Sequence, residues 1–308
     1  MTGLGGLNVS VVEGVVEYGE LRTWYMVVGA LEERSPDRPA PLVTIHGGPG
    51  ATHDYLLSMV DLSADGRAVI FYDQIGNGRS AHFRERRAEF FTVALFVDEL
   101  ARLVNHLGIE DRYHILGQSW GGMLALEHLL TAPRGLRSAV LSNTAAAYPS
   151  FTKAVAGLRA ELPTDVEATL RRHEIAGTTN DPEYLAAARV FYDLHVCRLT
   201  PRPDPVERSF AAMDEDPTVY FTTNGPTEFH TIGSFTSWSV LDRLDEIRAP
   251  VLVVSGGHDE ATPEIQQEIV TGIAGSEQLI FENSSHMPFW EQRAEYMAAV
   301  GDFLRRHD

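Results

Sequence analysis

The stretch "HILGQSWGGMLALEHL", His114–Leu129, is an apolar run that stops at a glycine, shows a single serine and restarts as a helix. Three glycines, Gly117, Gly121 and Gly122, crowd Ser119. In a strand–turn–helix setting, G-x-S-x-G is the form of a nucleophile elbow, a tight turn that holds a hydroxyl clear of a sheet. Glycine and serine are common, so the pattern decides the fold only together with what surrounds it.

The surroundings alternate strand, loop and helix. "APLVTIHGG" and "RAVIFYDQ" read as short buried strands, the second followed by the turn "GNGRS". "FTVALFVDELARLVNHLG" has apolar residues at helical spacing and a glycine C-cap. The strand "YHILG", the helix after Ser119 and the strand "LRSAVLSN" follow. Ahead of them, Val9–Val28 alternates as two antiparallel strands around "YGE". Such alternation specifies a mostly parallel sheet with helices on both faces. From Tyr148 to about Trp238 it breaks into helical segments, "SFTKAVAGLRAEL", "DVEATLRRHEIAG" and "PEYLAAARVFYDLHVCRL", with "TPRPDP" as a joint or ordinary loop. The sheet resumes with "APVLVVSGGHDEATP", a helix, "EQLIFENSSHMPF" and a last helix to Asp308. A helical insertion of this kind forms a lid over the strand ends, where open α/β sheets bind ligands.

The bulk properties narrow the partners. A net charge of −18 repels nucleic acid and anionic membrane surfaces, so neither is expected. One cysteine, Cys197, excludes an internal disulfide framework and reads as a small buried hydrophobe. The opening "MTGLGGLNVSVVEG" lacks a basic start followed by an apolar core, and no run approaches the ~18 apolar residues of a membrane span. A cytoplasmic protein is expected.

Three signals fall at the carboxyl ends of three strands: Ser119 at the elbow, Asp259 in "VVSGGHDEATP" and His286 in "IFENSSHMPFW". A serine hydroxyl attacks well only when a base takes its proton. A histidine does this near neutrality, and a carboxylate behind it fixes the tautomer. Taken singly, the three read equally as a turn serine, a helix N-cap and a loop histidine; their order and shared position make them a triad. Glu260 and His258 are neighbours able to take the acid or base role; Asp259 is preferred as the shorter tether, and His286 for its place after the final strand. "IHGGPG", ending at Gly50, leaves backbone N–H groups free for a developing oxyanion, the second donor being the N–H of Trp120. His46 in that segment reads as structural.

With "HGGPG", "YDQIGNGRS", "GQSWGG", "GGHDEATP" and "SSHMPFWE" in register, the chain resembles the proline iminopeptidase family, serine aminopeptidases and amino-acid amidases with the α/β-hydrolase fold. The resemblance implies a mostly parallel eight-stranded sheet and a helical cap after the sixth strand. Residues 1–145 and 239–308 would form the core and 146–238 the cap. It implies Ser119, Asp259 and His286 as triad, with Gly48 and Trp120 as oxyanion hole. "NGPTEFH" resembles the family's GPxEF segment and implies Glu228 as ligand of the substrate's free α-ammonium. The family adds a second acid from an earlier lid helix; Asp193 and Glu183 are the candidates. Gln118 stands where the family more often has glycine. The expected reaction is cleavage of the amide after an N-terminal residue bearing a free amine, in a short peptide or amino-acid amide, through an acyl-enzyme. The alternatives are a carboxylesterase or lactonase on the same triad, and a receptor-like homologue with little turnover. No metal or cofactor is expected, since H-E-x-x-H, cysteine-cluster and P-loop patterns are absent; the sequence is silent on oligomeric state.

Overall fold

The computed structural model describes residues 10–31 and 38–308; the first nine residues, Val9 of the first expected strand among them, lie outside them. In chain order the strands are β1 (Val11–Tyr18), β2 (Leu21–Val28), β3 (Leu42–Ile45), β4 (Val69–Asp73), β5 (Tyr113–Gln118), β6 (Leu136–Ser142), β7 (Val251–Gly256) and β8 (Glu277–Phe281). The helices are α1 (Val93–His106), α2 (Trp120–Leu130), α3 (Tyr148–Ala160), α4 (Thr164–Ala176), α5 (Pro182–His195), α6 (Asp204–Glu215), α7 (Thr218–Thr223), α8 (Pro263–Gly272), α9 (Pro288–Glu291) and α10 (Arg293–Arg306). The strands form one sheet in the order β1-β2-β4-β3-β5-β6-β7-β8. Only β2 runs against its neighbours β1 and β4; the pairings from β4 to β8 are parallel.

The central strands are mostly apolar because both of their faces are covered. Val43, Ile45, Ile70, Ile115 and Val253 point to one side and pack with Phe96 and Leu100 of α1, Leu124 of α2 and Ile269 of α8. Their neighbours Leu42, Val69, Phe71, Leu116 and Leu252 point to the other, against Leu56 and Met59 and against Val300 and Phe303 of α10. The two-residue side-chain period of a strand thus builds two cores. Thr92 caps α1 by accepting from the Leu95 N–H, and Gly108 follows its end at a φ of 61°, as the glycine stop implies.

Helices α3 to α7 all lie between β6 and β7. An antiparallel bridge between Ala147 and Ser239 pinches the two ends of this insertion together. Helix α5 ends at His195, short of "VCRL", and Cys197 beyond it is buried. The segment "TPRPDP" leads directly into α6, with Pro203 before its first residue and Pro205 in its first turn. Proline fits there because its missing N–H has no intrahelical partner at a helix start. A 3₁₀ segment, His53–Asp65, follows β3, with Thr52 capping its start and Gly66 its end; it is not among the elements expected from the sequence. Among the described residues no helix is long and apolar enough to cross a membrane.

Candidate active site

Parallel register brings the carboxyl ends of five strands level. Ile45 of β3 pairs with Gly117 of β5, which pairs with Leu141 of β6. Ser142 then pairs with Val254 of β7, and Gly256 with Phe281 of β8. The loops that follow hold Gly48, Ser119, Asn143, Asp259 and His286.

Ser119 has φ 57° and ψ −127°, a conformation that a non-glycine residue holds only when its surroundings force it. The forcing comes from close packing. A Cβ on Gly117 would lie 2.1 Å from the Gly121 carbonyl oxygen, and one on Gly121 would lie 2.1 Å from that of Ile45. Side chains at either position would push the helix off the sheet and relax the turn. Behind the serine, α2 is buried from Trp120 to Leu126.

Asp259 and His286 meet through a 2.6 Å contact between Asp259 Oδ1 and His286 Nδ1. The carboxylate only accepts, so Nδ1 carries the proton and Nε2 is left as the basic nitrogen. Asp259 is itself held by Asn143 Nδ2 at 2.6 Å, the Ala261 N–H at 2.9 Å and Gln266 Nε2 at 3.3 Å. His286 and Ser119 line one cavity. His258 is exposed and faces away, its N–H donating to the Ser284 carbonyl.

Gln74, from "YDQIGNGRS", ties the glycine loop to the elbow. Its Nε2 donates to the His46 carbonyl at 2.7 Å, and its Oε1 accepts from the Trp120 indole at 2.9 Å. Its backbone N–H donates to His46 Nε2, so His46 is a buried structural imidazole whose pKa burial lowers to about 4. Among the described residues no protein group accepts from the backbone N–H of Gly48 or of Trp120. Gln118 bonds the same parts from the other side. It accepts from the Tyr55 hydroxyl at 2.5 Å and donates to the His286 carbonyl at 3.1 Å, while Tyr55 accepts from the Gly47 N–H at 2.6 Å.

Glu228 sits in the tight turn after α7, partly buried, with Oε1 accepting from the Tyr220 hydroxyl at 2.6 Å. Neither candidate for a second acid reaches the cavity. Asp193 is bound to Arg189 and Arg202, and Glu183 to Arg172; both are exposed and neither lines the cavity. A cap-helix acid facing outward meets the arginines of that surface instead. The residue that joins Glu228 on the cavity wall is Glu260, in the core loop beside Asp259. It is 2% exposed, its Oε2 has no partner among the described residues, and its Oε1 lies 3.6 Å from His286 Nε2. Burial raises the pKa of both acids, and the Glu228 charge raises that of Glu260 further. The signal for Glu260 is the second acid of "HDE", which the sequence alone offers only as a substitute for Asp259. Asn143 escapes the sequence reading altogether, though a polar residue directly after a buried strand marks a strand-end site.

A second, smaller pocket shares Gly48, Ser119 and Glu228 with the first and is lined further by Met123, Thr144, Ala145 and Phe151. The serine therefore stands between two chambers, with an acid at their junction.

Residues 40–292 match the family model described as alpha/beta hydrolase fold. Proline iminopeptidase of Saccharolobus solfataricus is 36% identical over 97% of this chain and 94% of that protein. Among solved structures, the proline iminopeptidase of Mycobacterium smegmatis superposes with a TM-score of 0.88 at 44% identity, covering 96% of this chain and 98% of that one. The crystal structure of VinJ superposes at 0.93 and 45%, covering 96% and 99%. Full-length similarity at these levels, on a sheet of this order, means that the chain belongs to the proline iminopeptidase family of α/β-hydrolases.

Proposed function

We propose that this chain is a cytoplasmic serine aminopeptidase or amino-acid amidase, acting on short peptides or amides that carry a free amino terminus. The observation that carries the reading is the placement of two carboxyl groups, Glu228 and Glu260, on the wall of the cavity that holds Ser119 and His286, with no lysine or arginine lining it among the described residues. An ammonium between the two acids satisfies charges that burial otherwise penalises. Two acids disfavour each other until a cation arrives, which selects protonated amines over neutral esters.

In this reading Ser119 Oγ attacks the amide carbonyl carbon and its proton passes to His286 Nε2, while Asp259 steadies the imidazolium. The N–H groups of Gly48 and Trp120 take the oxyanion. Collapse breaks the carbon–nitrogen bond, and the departing amine takes the proton from His286. Water then attacks the acyl-enzyme, gives a proton to the same nitrogen, and releases the amino acid with Ser119 restored. Gln74, Gln118 and Asn143 hold these parts in place through their hydrogen bonds. Residues 146–238 act as a cap over a core of 1–145 and 239–308, a division supported by the Ala147–Ser239 bridge.

A turnover panel tests the reading: aminoacyl anilides, their N-acetylated forms and p-nitrophenyl esters. Losing the ammonium removes at least one charge-assisted bond, worth roughly 1.5–3 kcal/mol, so acetylation is expected to lower kcat/KM by at least about tenfold. Equal turnover of acetylated and free substrates refutes the ammonium anchor. Esters cleaved while free-amine amides stay intact would establish an esterase instead, and inertness across the panel a receptor.

A further inference from the structure

His286 stands on residues 282–287, the loop between β8 and α9, where no strand or helix fixes the backbone. Hydrogen bonds on either side of it set its place. The His286 carbonyl accepts from Gln118 Nε2, and the Ser285 carbonyl accepts from Asn143 Nδ2 at 3.3 Å. The other polar groups of Ser285 turn to one side chain. Glu291, at the end of α9, accepts from the Ser285 N–H through Oε2 at 2.5 Å and from the Ser285 hydroxyl through Oε1 at 2.7 Å. Ser285 is fully buried, so bulk water does not stand in for either bond.

The carboxylate is itself held. Its third donor is the N–H of Arg198, just past the end of α5, which meets Oε1 at 2.6 Å. The cap chain there is seated by Val196 and Cys197, buried in the same apolar cluster as Met287 and Phe289. Gln292, the next residue after Glu291, braces the first half of the loop, its Oε1 accepting from the Asn283 N–H at 3.2 Å and the Ser284 hydroxyl at 2.9 Å. Glu291 does not line the cavity, so it reaches the chemistry only through the loop. We propose that Glu291 is a positioning residue for His286, an inference that rests on the serine-hydrolase reading above. His286 Nε2 takes the proton of Ser119 and then gives it to the departing amine. The second transfer matters most when that amine is basic, because such an amine leaves only with a proton. A displaced His286 therefore slows substrates with basic leaving groups most, whereas loss of folded enzyme slows all substrates alike.

Glu291→Gln keeps the shape of the side chain but cannot serve all of its donors. Whichever way the amide lies, its NH2 faces a backbone N–H, that of Ser285 or that of Arg198. The experiment measures kcat/KM for alanyl p-nitroanilide, anilide and p-methoxyanilide, which share the same free amine and differ in the basicity of the leaving group. The variant is expected to lose up to about 100-fold on the p-methoxyanilide, the size of effect a misplacement of about 1 Å produces. On the p-nitroanilide the loss is expected to be smaller by at least about threefold. An equal loss on all the anilides, or no loss, overturns the proposal. Ser285→Ala removes the hydroxyl bond and leaves both backbone donors, and it carries the test if Glu291→Gln does not fold. It is expected to show the same trend with losses of about tenfold at most, and an even loss or none overturns the proposal there too. If the unmodified chain cleaves esters and no anilide, the aminopeptidase reading fails, and the same comparison across p-nitrophenyl, phenyl and p-methoxyphenyl esters of alanine decides the role of Glu291. Inertness of the unmodified chain on both series overturns both.

Discussion

Replacing Glu228 by glutamine keeps the side chain's shape and its bond to Tyr220 but removes the charge, which makes it a clean perturbation. Oε1 is occupied by the Tyr220 hydroxyl at 2.6 Å, so one oxygen remains for the ammonium. Losing a single charge-assisted bond costs about 1.5–3 kcal/mol, or a 10- to 150-fold drop in kcat/KM on free-amine amides, with at most a few-fold change on N-acetylated ones. The pH dependence sharpens the test. Glu260 is raised well above the ordinary carboxylate range by burial, then by the charges of Glu228 and Asp259. Below that raised pKa an arriving cation must displace a proton, so the ratio of free-amine to acetylated kcat/KM falls as pH drops. Taking this ratio cancels any pH effect common to the two substrates. Glu228→Gln removes one of the charges that raise Glu260, so the fall moves to lower pH. A stopped assay with paired anilides across pH measures both effects. Equal losses on the two substrates, or an acid limb that does not move, would refute the two-acid site.

Three other outcomes follow from the structure. Asn143→Gly accepts the φ of 54° at that position and removes the 2.6 Å donor to Asp259; kcat is expected to fall about tenfold or more with KM little changed, and a KM effect alone would contradict it. Asp308 clasps the buried Arg67 through bonds of 3.0 and 2.9 Å; partial burial opposes its ionisation, but His114, Arg67 and the Ala40 N–H together hold its carboxyl below the usual range. A fully buried pair broken on one side costs ~3–5 kcal/mol, and with Asp308 20% exposed about 2–3 kcal/mol is expected for Asp308→Ala by chemical denaturation. That contribution is whole above the ordinary carboxylate pKa and lost as pH falls below it, so the variant's deficit must shrink in acid. Glu99 behaves in the opposite sense: burial pushes its pKa up to about 8, so its contribution is full at low pH and lost as pH rises from about 4.5 to 8. Glu99→Gln should flatten the stability profile over that range, and parallel profiles for the two proteins would contradict this.

Much of the fold is legible in the sequence because the central strands are buried on both faces, so β4 and β7 read as continuous apolar runs with no alternation to confuse. The elbow is legible because Gly117 and Gly121 are demanded by backbone contacts that admit no side chain. The cap is harder. Helix α6 hides behind three prolines, and its inward face is Val206 and Ser209 with Phe210 at the cavity, a pattern too mixed for periodicity to reveal. The 3₁₀ segment escapes for the same reason, its apolar side chains being interleaved with Ser58, Asp61 and Ser63. The place of Glu260 is hidden because reading along the chain cannot show that a core loop and the turn holding Glu228 face one cavity. Gln118 looks like a departure from the family pattern, yet its amide links Tyr55 to the His286 loop.

If Ser119 is the nucleophile, it becomes covalently acylated by amides with a free amino terminus. Labelling with a fluorophosphonate, whose phosphorus the same activated hydroxyl attacks with loss of fluoride, followed by peptide mass spectrometry, locates that nucleophile at the residue itself. A single adduct on Ser119 is expected, formed in step with loss of anilide turnover and slowed by a free-amine amide but not by its acetylated form. Ser119→Ala should neither label nor turn over, apart from the residual rate left by binding alone. Full turnover in that variant, or an inactivating adduct on any other residue, would contradict the assignment of Ser119.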